Sequence, residues 1–221
     1  MKISILVNSF LVPKWVTNMI KILNNDTNLS VLIVKVNVTI SNYEKTNLIV
    51  KKYIDLDSKL FKSNTNALKR DDIRKILKNI NYKKLNDVSL VDISLIGKIF
   101  IDNDVLINLS KHTLDYQLFS LVKYGVWEFF VEHRNVTDYS IAVMEVLRQK
   151  SPINLYLTSR VGDKEKRIIL YQSSSYCDKR SLNRTINGIL FKLSFFVPRT
   201  IQLIKMDDEF ILNKKEYRGK N

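Results

Sequence analysis

The chain has 221 residues, 45% of them apolar, and its 36 Lys and Arg against 22 Asp and Glu give a formal net charge of +14. That apolar content can offset chain entropy, and five glycines and three prolines exclude collagen-like or Gly/Pro-rich disordered chains, leaving one compact domain as the default. A lone cysteine, Cys177, excludes an internal disulfide, and with His112 and His133 as the only imidazoles no zinc motif can be written, so no metal is expected. The most apolar stretches, 93–101 and 189–197, are broken by Gly97 and Lys98 and by Lys192, which is short of a membrane span. The start turns polar too soon for a secretory signal, and a cytoplasmic location is expected.

In chain order, Ile3 to Val7 reads as a first strand and Val31 to Val38, rich in β-branched residues, as a second. Between them Val16, Met19, Ile20 and Leu23 repeat at helical spacing, and Pro13 stands where a first helical turn tolerates it. A strand, helix, strand order predicts a βαβ unit and hence a parallel sheet. The polar runs 42–47 and 62–66 read as loops, and Ile73, Ile76, Leu77 and Ile80 predict a short amphipathic helix over 71–80. Val105 to Leu109 predicts a buried strand, Leu114 to Val122 a helix, and Val126 to Val131 a strand after a turn at Gly125. Asp138 is placed to cap a helix through Leu147, and strands at 153–157 and 168–171 are expected to pair as a hairpin through Gly162 and Asp163. Leu182, Ile186, Ile189, Leu190 and Leu193 form one helical stripe, with Pro198 read as its stop. Residues 206–221 read as a charged, peripheral C-terminal tail to a domain spanning 1–205.

Basic residues concentrate in 51–88, eleven against five acidic, and again in 160–184. Such a surface suits an acidic partner, anionic headgroups or a polyanionic small molecule. Nucleic acid ranks last, because an Asn-, Lys- and Ile-rich chain uses Lys as its ordinary solvated residue and no RNA- or DNA-binding motif accompanies it. An α/β sheet binds ligands at the carboxyl ends of its strands, which directs attention to the loops after Val7, Leu109 and Val131. The first of these lacks both the spaced glycines of a dinucleotide fingerprint and the lysine of a P-loop. No nucleophile elbow occurs, and Cys177 reads as a small buried residue and His112 as a solvated or capping one. Trp127, Phe129, Tyr156 and Tyr171 read as core or sheet-face residues.

The run Lys123-Tyr124-Gly125-Val126-Trp127-Glu128-Phe129-Phe130 is followed by Glu145-Val146-Leu147, Ile169-Leu170-Tyr171-Gln172-Ser173 and Ser181-Leu182-Asn183-Arg184, then Asn187, Lys192, Pro198 and Arg199. This collinear set resembles the formyltransferase-like domain, and with Ile5-Leu6-Val7-Asn8-Ser9 and Val12-Pro13-Lys14-Trp15-Val16 it is most similar to the branch related to the front domain of glucosamine inositolphosphorylceramide transferases. The resemblance implies a Rossmann-like α/β fold, a mostly parallel sheet flanked by helices, and formyl transfer from 10-formyltetrahydrofolate to an amine of an amino sugar or nucleotide sugar.

It also implies where chemistry sits. Family members use an Asn and a His two positions apart at a strand end, with an Asp further on, and the matching positions here hold Glu128, Phe130 and Glu165. Phe130 can neither donate a hydrogen bond nor move a proton, so the usual mechanism is lost at that position. A substitute is His133 paired with Glu165; the competing reading makes Glu132-His133-Arg134 an exposed polar loop. Asn8, Ser9 and Phe130 are the cofactor-side candidates, and Asn183, Arg184 and Asn187 either line the acceptor side or occupy the polar face of their helix. The alternative to an enzyme is a catalytically inactive formyltransferase-fold binding or scaffold domain with a basic surface for an acidic partner.

Overall fold

The computed structural model describes residues 1–25, 28–34, 52, 56–57, 59–61, 66–76, 81–85, 103–110, 114, 117, 119–132, 134–136, 151–162, 167–207, 209–211 and 216–217. Strand β1 (Lys2–Val7) leads through a short β2 (Leu11–Pro13) into helix α1 (Lys14–Asn24) and β3 (Asn28–Val34). Beyond these come β4 (Arg70–Asp72), a 3-10 turn at Ile73–Lys75, β5 (Asn81–Leu85), β6 (Val105–Asn108), β7 (Val126–Val131) and β8 (Arg134–Asn135). The hairpin β9 (Ile153–Arg160) and β10 (Arg167–Ser175) precedes α2 (Leu182–Leu193) and α3 (Phe196–Met206).

Among the described residues the main sheet runs β10-β9-β7-β6-β1-β3-β5, with β8 paired to β7 and a separate two-stranded pair of β2 and β4. The five strands from β7 to β5 are mutually parallel, whereas β9 is antiparallel to both β7 and β10. This is the mostly parallel, helix-flanked α/β sheet expected. The chain moves outward from β1 to β3 and β5, then returns to β6 on the other side of β1, so the order reverses between β1 and β6. A crevice outside the carboxyl ends of these two strands is where such sheets bind ligands.

The two faces of the sheet differ. Ile3, Ile5, Val7, Val105, Ile107, Trp127, Phe129, Val131, Leu155 and Leu157 point to one side, where Trp15, Met19 and Ile20 of α1 and Ile186, Ile189, Leu193, Phe196 and Ile201 of α2 and α3 complete a single apolar core. The alternate residues, Leu6, Leu106, Val126 and Phe130 with the polar Asn108, Glu128 and Thr158, are buried on the other side. Phe119 and Val122, also buried, belong to that second side, where the Arg160 guanidinium lies 5.0 Å above the Phe119 ring.

Several expectations are corrected. The helix expected over 71–80 is instead β4 and a 3-10 turn as far as it is described, because residues 70–72 pair with β2 and the Asp72 carboxylate takes the Arg74 N–H at 3.0 Å, fixing extended backbone at 72. Residues 119–122, the end of the expected helix, form turns and a bend, with the Ser120 hydroxyl donating to the Gln117 carbonyl at 2.9 Å. The second strand starts at Asn28 rather than 31, and its expected end at 38 and the 138–147 helix lie outside the described residues. Pro198 does not stop α2. It sits in the first turn of α3, where its missing N–H costs nothing, and α2 ends instead at Ser194, whose hydroxyl donates to Phe191 O at 2.6 Å. Cys177 is half-buried rather than enclosed.

Gly125 and Gly162 both have positive φ, +77 and +70, but only Gly125 is crowded: a Cβ there would lie 2.2 Å from Arg160 O. Gly125→Ala is therefore expected to destabilise by about 3 kcal/mol or more, against about 1 kcal/mol for Gly162→Ala. Urea unfolding of the two variants checks this; equal midpoints would refute the close approach of β7 and β9.

Candidate functional site

The register brings Leu6 of β1 level with Asn108, and Asn108 two residues on from the Leu106↔Val126 pair stands level with Glu128. Glu128 is thus level with the ends of β1 and β6, one strand beyond β6, on the face away from α1, α2 and α3. It is 5% exposed. One carboxylate oxygen, Oε2, accepts from Arg160 Nε at 3.0 Å and Nη2 at 2.7 Å, while Oε1 accepts from Asn108 Nδ2 at 3.4 Å. Arg167 Nε lies 3.5 Å from the same Oε2, close enough for Coulomb attraction but without hydrogen-bond geometry. Two guanidinium groups thus face one carboxylate, with side-chain exposures of 15% for Arg160 and 31% for Arg167.

Two residues further along β7, the Phe130 ring carries two partners. The Arg167 guanidinium carbon is 5.1 Å from its ring centroid, the Tyr217 ring 5.4 Å away, and Tyr156, opposite Phe130 on β9, meets Tyr217 at 5.2 Å. Tyr217 is fixed at both ends, its N–H donating to Arg167 O at 2.7 Å and its hydroxyl to Glu132 O at 2.8 Å. Part of the segment expected to be peripheral therefore lies on the sheet.

Glu132, read as an exposed loop residue, is also corrected: it is 7% exposed, with φ +54. Its N–H donates to Asn154 O at 2.7 Å and its Oε1 accepts from Asn154 N at 2.6 Å, so β9 clasps it from both sides. Left-handed backbone at a buried glutamate is costly, and such residues persist where surrounding contacts over-determine them. Burial, and then the charge of Glu132, push the Tyr156 phenol above its usual range; burial, Tyr156 and Glu132 push Tyr217 up to about 12 even though Arg167 opposes it. Both hydroxyls are protonated donors at neutral pH.

The other sequence candidates fall elsewhere. Asn8 and Ser9 follow β1 at the crevice rim: Asn8 Oδ1 is buried with no partner, and the Ser9 hydroxyl closes a local loop bond to Leu11 O at 2.9 Å. Asn183, Arg184 and Asn187 are brought together on α2, across the sheet from Glu128. There Asn187 Oδ1 accepts from Ala67 N at 2.7 Å and its Nδ2 donates to Asn183 Oδ1 at 3.2 Å, while the Asn183 N–H is taken by the buried Asp57 carboxylate at 2.7 Å. Arg184 stacks 5.1 Å from the Phe61 ring. Their polar groups tie Asp57, Phe61 and Ala67 to α2, with the Asp57 carboxylate at the helix start, where an anionic side chain is favoured. His133 and Glu165 lie outside the described residues; the residues bracketing them, Glu132 and Arg134 for the one and Gly162 and Arg167 for the other, stand at opposite ends of β9. Sequence reasoning missed Glu132, Arg160, Arg167 and Tyr217 as site residues. Arg160 and Arg167 were accessible in principle, since a first hairpin strand longer by three residues and a second starting one residue earlier place them on the Glu128 face. No described group of three His, Cys, Asp or Glu could hold a metal, and no described helix is long and apolar enough to cross a membrane.

No family model and no curated protein matches the sequence. Solved structures do. Phosphoribosylglycinamide formyltransferase from Anaplasma phagocytophilum superposes with a TM-score of 0.57 at 10% identity, over 93% of this chain and 87% of that one. A 4-N formyltransferase from Francisella tularensis gives 0.49 at 10% identity, over 100% and 73%. WlaRD, a sugar 3N-formyl transferase in the presence of dTDP and 5-N-formyl-THF, gives 0.47 at 12%, over 100% and 67%. The chain has the formyltransferase-like, Rossmann-like α/β fold.

Removing one member of a buried pair strands the other, so Arg160→Met is expected to cost about 3 kcal/mol, and Glu128→Leu with Arg160→Met to recover at least half of that. Thermal unfolding measures both; a single variant as stable as the parent would show that the pair is not buried in solution. The Tyr217 phenol, raised from 10.0 to about 12, binds its proton more tightly folded than unfolded. Its contribution is fully present below pH 10 and is lost as pH rises toward 12, so stability falls across that window. Tyr217→Phe is expected to flatten the decline, and an unchanged profile would refute the assignment.

Proposed function

We propose that the protein is a formyl-group transferase that takes the formyl group from 10-formyltetrahydrofolate and passes it to an amine of an amino sugar or nucleotide sugar. The supporting observation is the net-positive Glu128, Arg160 and Arg167 cluster, set level with the ends of β1 and β6 in a formyltransferase-like sheet. A carboxylate alone at that place would oppose charge building on an oxygen. With two guanidinium groups around it, the local field favours such charge instead.

The residues present fit a folate in part: Phe130 and Tyr156 offer aromatic surface beside Arg167, suited to a planar ring, and the basic chain suits the anionic tail. When bound, the cofactor supplies an electrophilic formyl carbon. Arg167 is assigned the developing oxyanion, since Arg160 is committed to Glu128. The tyrosine hydroxyls, held protonated, can donate but not accept a proton at neutral pH. Proton acceptance falls to Glu132, whose Oε1 alone is engaged by the backbone, with His133 and Glu165 as the further groups to substitute.

A second reading has its own support. Phe130 stands under Tyr217 at the place a ligand ring would take, which favours an inactive binding domain with an acidic or anionic ligand. One experiment separates the two. The protein is titrated calorimetrically with a stable 10-formyltetrahydrofolate analogue at two salt concentrations, and amide formation is followed with amino sugars and nucleotide amino sugars. Saturable binding with turnover, weakened in Arg167→Ala, Glu132→Gln, His133→Ala or Glu165→Ala, is expected. Binding without turnover selects the inactive domain, and no binding at millimolar analogue ends the folate reading.

A further inference from the structure

The Tyr217 ring is an unusual occupant for the middle of a candidate site. Its backbone belongs to a short segment bridged to the outer edge of β10 by Ile168↔Glu216, yet its side chain crosses β10 and β9 to rest on Phe130 of β7. Three contacts define the place it fills: the Phe130 ring, tilted 44° to it, the Tyr156 ring, in an edge arrangement at 63°, and the carbonyl of Glu132, which accepts a hydrogen bond from the phenol. That carbonyl is presented by a residue in left-handed backbone, clasped twice by Asn154. The Arg167 guanidinium also lies over the Phe130 ring, 5.1 Å from its centroid. Every part but Tyr217 belongs to the sheet or its immediate turn, so the receiving surface is built without it.

We propose that Phe130, Tyr156, Glu132 O and Arg167 form a subsite for a planar aromatic ring bearing a hydrogen-bond donor, and that Tyr217 is its resident, displaceable plug. A ligand ring gains access by lifting the segment around Tyr217 off the sheet, and this releases one aromatic contact on each of Phe130 and Tyr156 together with two hydrogen bonds. Ligand affinity is then reduced by the fraction of molecules in which the plug is seated. The nature of the subsite is independent of the reading above; only the identity of the ring as that of a folate rests on it.

The test uses p-cresol, the side chain of tyrosine as a free molecule, and the folate analogue in parallel on the full chain. In Tyr217→Ala, p-cresol is expected to raise the melting temperature in a saturable manner, and the parent, with the plug in place, is expected to show no such rise. If the plug is seated about nine-tenths of the time, the folate analogue binds Tyr217→Ala about tenfold more tightly than the parent. Tyr217→Phe, which keeps the ring and loses one hydrogen bond, falls between them and serves if the alanine variant does not fold. Absence of p-cresol stabilisation in Tyr217→Ala, or an equal effect on the parent, overturns the subsite. Equal analogue affinity in parent and variant overturns the plug. Analogue binding to neither, with p-cresol rescue intact, removes the folate and leaves the subsite standing.

Discussion

A carboxylate set in the middle of a fully buried strand has to be neutralised from outside that strand, and Glu128 places this demand on everything around β7. The penalty for an uncompensated charge there is several kcal/mol, a large fraction of what holds a domain together. The answer comes from the two residues that bracket the hairpin turn, the last of β9 and the first of β10. Both must project onto the Glu128 face, which fixes hairpin register: a slip by one residue would turn Arg160 toward the helices and into the apolar core. Gly125 reinforces the same register from the backbone side, because the approach to the Arg160 carbonyl leaves no room for a side chain.

The sheet thereby divides its labour. One face is dry, packed by α1, α2 and α3 and dominated by aliphatic residues with Trp15, Trp127 and Phe129, and it carries the stability. The other face collects the polar and aromatic residues whose arrangement is costly: an ion cluster, a left-handed glutamate and two phenols with raised pKa. The features that cost most are thus gathered on one face, on the side of the sheet that runs from β6 out to β10.

The regular part of this architecture was legible. Apolar runs gave β1, β6 and β7, with β7 matching residue for residue, and helical spacing gave α1 and α2, because burial on a face imposes its period on the sequence. What escaped notice was decided by partners distant in sequence. Ile73 is buried with helical spacing around it, but pairing of 70–72 to β2 overrides that local pattern. Pro198 is a stop in isolation and a permitted first-turn residue once a new helix begins at Phe196. Glu132 looks solvated until β9 is seen to supply both of its backbone partners. Asn183 and Asn187 were candidates either for the acceptor side or for the polar face of their helix; their actual partners, Asp57 and Ala67, lie more than a hundred positions away. Tyr217 carried no local signal at all, since its burial depends wholly on a sheet formed by other segments.

The contacts that seat Tyr217 act on more than the crevice. β10 is the outermost strand at its end of the sheet, and its free edge offers the kind of unsatisfied backbone that recruits a strand from another molecule. At the start of that edge the carbonyl of Arg167 is already taken by Tyr217 and Ile168 is bridged by Glu216; near its end Lys192 Nζ reaches the Ser174 carbonyl at 2.5 Å. The sheet border is thus closed at both ends by the chain's own groups, which protects it against edge-to-edge aggregation.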